Sequence, residues 1–508
     1  MNPPARPTQT QTPITPEPRG LVLEQPLIFE QGQDGRCGVD WPETAPGNDR
    51  LGGLRRREKI GLPGLSEPQM VRHYTRLSQQ NFGIDSTFYP LGSCTMKHNP
   101  RLNEAMARLP GFAQLHPMQS EGTVQGALAL IGECADWLMK LTGMDAVAMT
   151  PGAGAHGEFC GLAAIKAALA ARNEAHRKRV LVPESAHGTN PATAAALGFT
   201  VDPIPAAADG RVDLAAFRAK LGSDVAALML TNPNTCGLFE RDIVAVADDI
   251  HRAGGYFYCD GANFNAIVGR VRPADLGIDA MHINLHKTFS TPHGGGRPGA
   301  GPVVPAAGLA PFAPLPRFVR DGEYWLLAEH AAGDAAQSFG RIKAFHGQMG
   351  MFIRALTYML SHGADGLRQV ADDAVLNANY ILASLKDVMS APFPGPCMHE
   401  ALFDDAFLDG TGVTTLDFAK ALLDRGYHPM TMYFPLIVHG ALLIEPTETE
   451  SKETLDDFIA VLRELAQAAK TGDAEQFRQA PRLTPRRRLN ETRAARTPVL
   501  RWRGEIDR

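Results

Sequence analysis

The sequence predicts an α/β fold with a mostly parallel sheet, and two observations support this. Short apolar runs bounded by Pro, Gly, Asn or Asp alternate with helical patterns through the middle of the 508-residue chain, which is typical of parallel sheets covered by helices on both faces. Polar motifs follow several of these runs, as expected where ligands bind at the carboxyl ends of parallel strands. The predicted strands are residues 180–182, 200–204, 225–230, 256–259 and 281–284.

Composition and helical periodicity complete the predicted organisation. Residues 1–115, rich in Pro, Gly and Arg, predict a tail and an extended arm. Residues 116–375 form the predicted large α/β domain, and 376–508 a smaller α+β domain with a tail. The other predicted elements are helix 127–141, strand 146–149, a helix from about Gly157, helix 243–253, strand 299–304, helices 349–360 and 372–385, helix 417–423, strand 441–444 and helix 455–469.

Composition argues against several classes of protein. The formal net charge is −5, so no excess of basic residues indicates attraction to nucleic acid. The seven cysteines are scattered without a Cys-x-x-Cys pair, which indicates reduced thiols and favours the cytoplasm. His and Cys show no metal-ligand spacing, and the first twenty residues lack the apolar core of a secretory signal. We expect no nucleic-acid, membrane or metal partner.

Lys287 is the most informative residue, because it stands where a predicted strand ends and a glycine-rich loop begins. A lysine in that place is suited to form a Schiff base. Asp260 follows the apolar run at 256–259 and would keep the ring nitrogen of pyridoxal phosphate protonated while the lysine holds the aldehyde carbon. The alternatives are a surface lysine and a turn or helix-cap aspartate.

Further residues join this candidate site. His187 follows a predicted strand, where its imidazole could stack on the pyridine ring while Thr189 or Asn190 reaches the phenolate oxygen. A structural or solvent-facing histidine is the alternative. Ala262 is small enough to pass beneath the ring, and His286 could contact the phosphate.

The turn at residues 150–158 lies between a predicted strand and a predicted helix. Backbone N–H groups around Gly154 and Ala155, at a helix N-terminus, would favour a phosphate. Many strand-to-helix turns are glycine-rich for steric reasons alone, and this turn lacks the Gly-Lys-Ser/Thr ending of a nucleotide P-loop. The turn by itself is therefore a weak indication of a phosphate site.

A run at residues 89–97 is dense in hydroxyl groups, a thiol and a cation. Ser93, Cys94 and Thr95 are suited to bind a small carboxylate. An ordinary turn is the alternative interpretation.

Five motifs in order resemble the P-protein family of the glycine cleavage system. They are PLGSCTMK at 90–97, SAHGTNP at 185–191, DGANFN at 260–265, NLHKTF at 284–289 and IEPTETES at 444–451. The match runs from about residue 25 to the C-terminus. The chain looks like the lysine-bearing half of the two-gene form of this family.

The resemblance implies a fold type I pyridoxal-phosphate enzyme, with Lys287 as the imine lysine, His187 stacking on the cofactor and Asp260 as the pyridinium partner. It implies decarboxylation of glycine with release of CO2 and transfer of the aminomethyl group to the lipoyl arm of the H-protein. It also implies a heterotetramer built from two copies of this subunit and two of a lysine-lacking first subunit.

The chain departs from the family pattern in two places. Gly152, Ala153 and His156 replace Asn, Ser and Gln, which leaves backbone groups as the phosphate contacts, and Arg297 and Ala300 replace Gly and Met in the glycine-rich loop. Two other functions stay open: a carrier-independent pyridoxal-phosphate decarboxylase or lyase, and a scaffold subunit without cofactor. The intact lysine, aspartate and histidine argue against the scaffold.

Overall fold

The computed structural model describes residues 24–501 apart from 41, 43–50, 55, 59, 294–298, 330–336 and 473. Arg297, and the predicted tail over the first twenty residues, lie outside the described residues. The chain divides into two compact units that combine separated stretches, so they do not test the three consecutive domains predicted above. One unit comprises Met1–Thr87, Lys420–Tyr427 and Glu475–Arg508, and the other comprises Phe88–Ala419 and His428–Ala474.

The larger unit contains a six-stranded sheet within the described residues. Its strands are β1 (Arg179–Pro183), β2 (Thr200–Ile204), β3 (Val225–Thr231), β4 (Tyr256–Asp260), β5 (Ala280–His282) and β6 (Val303–Pro305). They lie in the order β2-β1-β3-β4-β5-β6. The first five are parallel and β6 is antiparallel to β5, which confirms the predicted mostly parallel sheet.

Helices precede, separate and follow these strands. The helices predicted at 127–141, 243–253, 417–423 and 455–469 are confirmed close to their predicted bounds. In chain order the described helices are α1 (Glu67–Gln79), α2 (Arg101–Ala107), α3 (Pro110–Ala113), α4 (Gln125–Thr142), α5 (Gly154–Ala171), α6 (Thr189–Ala196), α7 (Leu214–Lys220), α8 (Ile243–Arg252), α9 (Leu285–Thr288), α10 (Met349–Leu385), α11 (Thr415–Leu423), α12 (Lys452–Lys470), α13 (Ala474–Gln479) and α14 (Glu491–Arg496).

The two faces of the sheet bury different side chains, because successive residues of a strand point to opposite sides. Leu228 and Phe257 belong to one hydrophobic core. Their neighbours Met229 and Tyr258 belong to another. Every residue of β3 is buried, which explains why this strand appears in the sequence as a continuous apolar run rather than an alternating one.

Three predicted elements differ in the structure. No strand forms at 146–149, because this short segment pairs with β6 only through Ala146 and Ala148. The strand predicted to reach Asn284 ends at His282, since Asn284 is already the N-cap of α9. The strand predicted at 299–304 spans only Val303–Pro305. The two helices predicted at 349–360 and 372–385 are confirmed as the parts of α10 on either side of a kink at Gly363, which has a φ of 62°.

A small antiparallel sheet lies in the C-terminal half of the same unit. Its strands are β9 (Ala401–Phe403), β10 (Thr431–Met432) and β11 (Leu442–Ile444), in the order β10-β11-β9. Leu91 forms an isolated bridge with Ile444, which brings the run at 89–97 alongside β11. A separate hairpin joins β7 (Arg317–Asp321) to β8 (Tyr324–Ala328). No helix in the described part of the chain is both long and apolar enough to cross a membrane.

Candidate active site

A cavity of about 220 Å³ lies at the carboxyl ends of the parallel strands, where ligands bind in sheets of this kind. Of the residues predicted from the sequence, Cys94, Thr95 and Asn190 do not line it. The other predicted residues all do: Ser93, Gly154, Ala155, His187, Thr189, Asp260, Ala262, His286 and Lys287.

Lys287 lies in α9, the short helix that follows β5. Its side chain is mostly buried, with 7% of the residue exposed, and its Nζ donates a hydrogen bond to the carbonyl oxygen of Ser93 at 2.7 Å. A second buried lysine, Lys97, donates to the carbonyl oxygen of Thr288 at 3.0 Å. The backbone next to Lys287 is therefore held by a contact from the run at 89–97.

Asp260 ends β4 and is 3% exposed. Its carboxylate accepts hydrogen bonds from the Ala262 N–H at 2.9 Å and from Asn190 Nδ2 at 3.0 Å, and His282 Nε2 lies 3.4 Å away. Burial acts to raise the pKa of this carboxyl group, but His282 and the two hydrogen bonds hold the pKa below its usual value. The residue is thus an anion at neutral pH.

Glu158 is a residue of this cavity to which the sequence assigned no role. It lies in the second turn of α5, is 3% exposed, and accepts hydrogen bonds from the hydroxyls of Thr189 at 2.7 Å and Thr193 at 3.3 Å. Burial and the nearby Asp260 raise its pKa to about 7. A glutamate among the apolar residues of a helix that begins at a glycine-rich turn was the signal available in the sequence.

His187 lies on the rim of the cavity. Its Nδ1 accepts a hydrogen bond from the Thr189 N–H at 3.2 Å and lies 2.9 Å from the Thr189 hydroxyl, which fixes the ring plane. The edge of Phe434 approaches the ring, with centroids 5.8 Å apart. The polar groups expected to reach a phenolate have partners here, since the Thr189 hydroxyl donates to Glu158 and the Asn190 amide donates to Asp260.

The N-terminus of α5 forms one wall of the cavity. Its first N–H groups have no partner within the helix, and this end of an eighteen-residue helix favours an anion. Glycine is required at position 154, because a Cβ there would lie 2.3 Å from Asn284 Oδ1. In the same cavity, His286 Nδ1 and Thr231 Oγ1 are buried without a hydrogen-bond partner in the described structure. Burial, followed by the effect of His293, lowers the pKa of His286 to about 3, so the ring is neutral.

The run at 89–97 contributes unequally to the site. Ser93 reaches the cavity, but Thr95 is buried behind it and bonded to Glu445. Cys94 is partly buried, and burial raises the pKa of its thiol. The predicted carboxylate-binding role of these three residues stays a prediction.

Comparison with known proteins assigns the family. The model of the glycine dehydrogenase C-terminal domain matches residues 370–483, and that of aminotransferase class-V matches residues 156–296. A relative from Caulobacter vibrioides, named probable glycine dehydrogenase (decarboxylating) subunit 2, is 68% identical over 96% of this chain and 93% of its own. A relative of the same name from Listeria innocua is 49% identical over 96% of this chain and 100% of its own. The chain belongs to the glycine dehydrogenase (decarboxylating) subunit 2 family.

Solved structures support the fold of this family member. A glycine decarboxylase (P-protein) of the glycine cleavage system in inhibitor-bound form matches with a TM-score of 0.67 at 23% identity, covering 83% of this chain and 93% of the other. The Oryza sativa enzyme TDC, solved with PLP and tryptamine, matches with a TM-score of 0.63 at 14% identity, covering 84% and 92%. These likenesses confirm the predicted fold type I architecture.

Pyridoxal phosphate is the cofactor of this family member, and the cavity suits it. The N-terminus of α5 and the unpartnered Nδ1 of His286 fit an anionic group. The ionised Asp260 fits a protonated ring nitrogen, which removes the cost of a buried, incompletely paired carboxylate. Lys287, which also lines the cavity, supplies an amine that is largely shielded from solvent.

Proposed function

We propose that this chain decarboxylates glycine in the glycine cleavage system and passes the remaining aminomethyl group to the lipoyl arm of the H-protein. The observation that carries the proposal is the convergence of Lys287, Asp260 and His187 on one cavity in a glycine dehydrogenase subunit 2 family member. When bound, pyridoxal phosphate supplies an electron-withdrawing ring that accepts the electron pair left by departing CO2.

Each of the three residues has its own task. Lys287 provides the amine that holds the cofactor through its aldehyde carbon, and burial keeps this amine away from competing solvent. Asp260 keeps the ring nitrogen protonated, and the charge of its carboxylate is maintained by His282 and Asn190. His187, with its ring plane fixed by Thr189, covers one face of the cofactor.

The partners follow from the same assignment. The relatives are named as subunit 2, which supports a first subunit as the obligatory partner. We infer a heterotetramer with two copies of each subunit, and a cytoplasmic location in keeping with seven unpaired cysteines. Glycine is the substrate, and its carboxylate binds near Ser93 at the mouth of the cavity.

Glycine-dependent exchange of labelled CO2 tests this function. The purified chain should catalyse exchange only with the first subunit and lipoylated H-protein, because the aminomethyl group must move to a carrier. A carrier-independent decarboxylase would consume glycine or another amino acid at the same rate without H-protein. A scaffold subunit would lack the visible absorbance of a bound cofactor. The absorbance spectrum of the same preparation therefore distinguishes a scaffold from either enzyme.

A further inference from the structure

Two buried glutamates hold a loop beside Lys287. Glu400 and Glu445 are both 0% exposed. The carboxylate of Glu400 accepts a hydrogen bond from the Ser93 N–H. Glu445 accepts hydrogen bonds from the N–H and the hydroxyl of Thr95 at 2.9 and 2.5 Å. Each glutamate therefore fixes one end of residues 93–95, named here the Ser93 loop.

The Ser93 loop has a backbone that needs such support. Ser93 has a φ of 64° and Thr95 a φ of 35°, in a region that residues other than glycine rarely adopt. Conformations of this kind cost about 1–3 kcal/mol each and persist only where surrounding contacts determine them. The two carboxyl groups provide those contacts, and the resulting conformation places the Ser93 carbonyl oxygen 2.7 Å from Lys287 Nζ.

The charge of the glutamate pair follows from its geometry. Side-chain atoms of Glu400, Glu445 and His399 lie within 4.8 Å of one another. Two buried carboxylates this close cannot both ionise readily: burial and Glu445 raise the pKa of Glu400 well above its usual value, and burial also raises the pKa of Glu445. His399 adds no cation, because burial lowers its pKa to about 3. One proton and one negative charge remain on the pair.

We propose that Glu400 and Glu445 are positioning residues that share one proton, carry a single negative charge, and hold the Ser93 carbonyl where it receives the Lys287 amine whenever the cofactor releases it. This proposal rests on the proposed function, because it requires a Lys287 amine that is bound to the cofactor at one stage and released from it at another. The negative charge attracts a nearby positive charge, and the charge of Lys287 acts on both glutamates.

The other ionisable groups around the pair are neutral at neutral pH. Burial raises the pKa of the thiols and lowers the pKa of the imidazoles, which leaves Lys287 as the cation among the groups that act on the pair in the described structure. These groups are Cys94, Cys236, Cys397, His293 and His399.

A pH titration of the visible cofactor absorbance tests the shared charge. The holoenzyme with its first subunit is titrated without glycine, comparing Glu400→Gln, Glu445→Gln and the double variant with the wild type. Each single variant should keep the wild-type pH midpoint, because the remaining glutamate then carries the whole charge. The double variant should lower the midpoint by about one to three pH units, the usual effect of removing a nearby opposite charge. Glu240→Gln, at a buried carboxylate bonded to Asn234, is the matched control and should keep the wild-type midpoint of the cofactor absorbance.

Each other outcome overturns the proposal. A midpoint lowered in either single variant would mean that both carboxylates are ionised, and an unchanged midpoint in the double variant would mean that the pair carries no charge. The single variants decide the matter if the double variant does not fold. A wild-type chain without cofactor absorbance would overturn the proposed function as well, whereas the other results contradict only the role of the glutamates.

Rescue of activity tests the positioning role. Glu400→Ala should lower kcat for glycine-dependent CO2 exchange by about tenfold or more, with little change in KM, because the Ser93 carbonyl is no longer held in place. Adding Ser93→Gly should recover several-fold of this loss, since glycine adopts a positive φ without strain. A loss confined to KM, or no recovery in the double variant, would contradict a role for Glu400 in holding the loop.

Discussion

The Nζ atom of Lys287 lies 2.7 Å from the carbonyl oxygen of Ser93, a residue 194 positions earlier in the chain. The contact joins α9, the short helix after β5, to a segment that precedes the whole parallel sheet in the chain. Lys97, four residues beyond Ser93, bonds the backbone of Thr288 in the same region. The upstream run at 89–97 is therefore part of the structure that holds the reactive lysine, and several predictions about its surroundings can be tested directly.

Lys287→Ala should abolish both the visible absorbance of bound cofactor and the glycine-dependent exchange of CO2. The amine that holds the cofactor is lost, and no other lysine lines the described cavity wall. Absorbance spectra of the purified variant and an exchange assay check this. Lys386→Ala, at an exposed position after α10, should retain both properties. Wild-type exchange in Lys287→Ala would refute the assignment of the lysine.

Asp260→Asn should leave part of the cofactor bound but lower kcat for CO2 exchange by about a hundredfold or more, a loss of the size seen when a preorganised charge is removed. Asparagine can accept only one of the two hydrogen bonds from Ala262 and Asn190, and it cannot hold the ring nitrogen protonated. Cofactor content and exchange rate are measured on the same sample. Asp372→Asn, which removes a surface partner of Arg270, is the control. Unchanged turnover in Asp260→Asn would exclude the electron-withdrawing role.

Gly154→Ala should weaken cofactor binding, because the added Cβ would lie 2.3 Å from Asn284 Oδ1 and would push the helix N-terminus out of place. Fluorescence titration with pyridoxal phosphate should show a dissociation constant raised by about tenfold or more. Gly126→Ala, in the first turn of α4 with nothing within 4 Å of its added Cβ, should bind as the wild type does. Equal affinities in the two variants would remove residue 154 from the cofactor site.

Lys97→Met should destabilise the chain by about 3–5 kcal/mol, because it leaves the largely buried Glu448 without its cation. Lys97 Nζ lies 2.6 Å from Glu448 Oε1, and the two side chains are 0% and 8% exposed. Thermal denaturation should show a clear fall in midpoint, and adding Glu448→Gln should recover much of it. Lys452→Met breaks an exposed pair with Asp456, which water and salt screen, so its denaturation midpoint should stay close to that of the wild type. A Lys97→Met midpoint equal to that of Lys452→Met would contradict the buried ion pair.

Glu240 should make stability depend on pH. Burial raises its pKa from 4.5 to about 7 in the folded chain. Between these two values the folded chain keeps a proton that the unfolded chain has released, so the contribution is present below pH 4.5 and is lost as the pH rises to about 7. The free energy of unfolding of Glu240→Gln relative to the wild type should therefore rise by roughly 3 kcal/mol over this range.

Urea unfolding at pH 4.5 and pH 8 measures this difference. Glu133→Gln, at an exposed position of α4, should show the same pH dependence as the wild type. Parallel curves for Glu240→Gln and the wild type would mean that the folded carboxyl group titrates normally.

Local patterns predicted most of the sheet. The strand at 200–204 has the predicted bounds, and β1, β3 and β4 extend the predicted runs by a residue or two at their ends. The errors arose where tertiary contacts override local pattern. The segment at 146–149 has too few pairing bonds with β6 to form a strand, and of the run predicted at 299–304 only Val303 and Val304 belong to β6.

The sequence by itself determined the order of strands and helices and the family, and it predicted Lys287, Asp260 and His187 as cofactor residues at strand ends. These signals are local, since side-chain periodicity and turn residues act over a few positions. Only the tertiary structure decided which distant carboxyl groups share the site. Glu400 lies 307 positions from the Ser93 N–H that it binds, and Glu445 lies 350 positions from Thr95. Their burial, and hence their shifted pKa values and shared proton, depends on packing that brings these segments together, which no local pattern encodes.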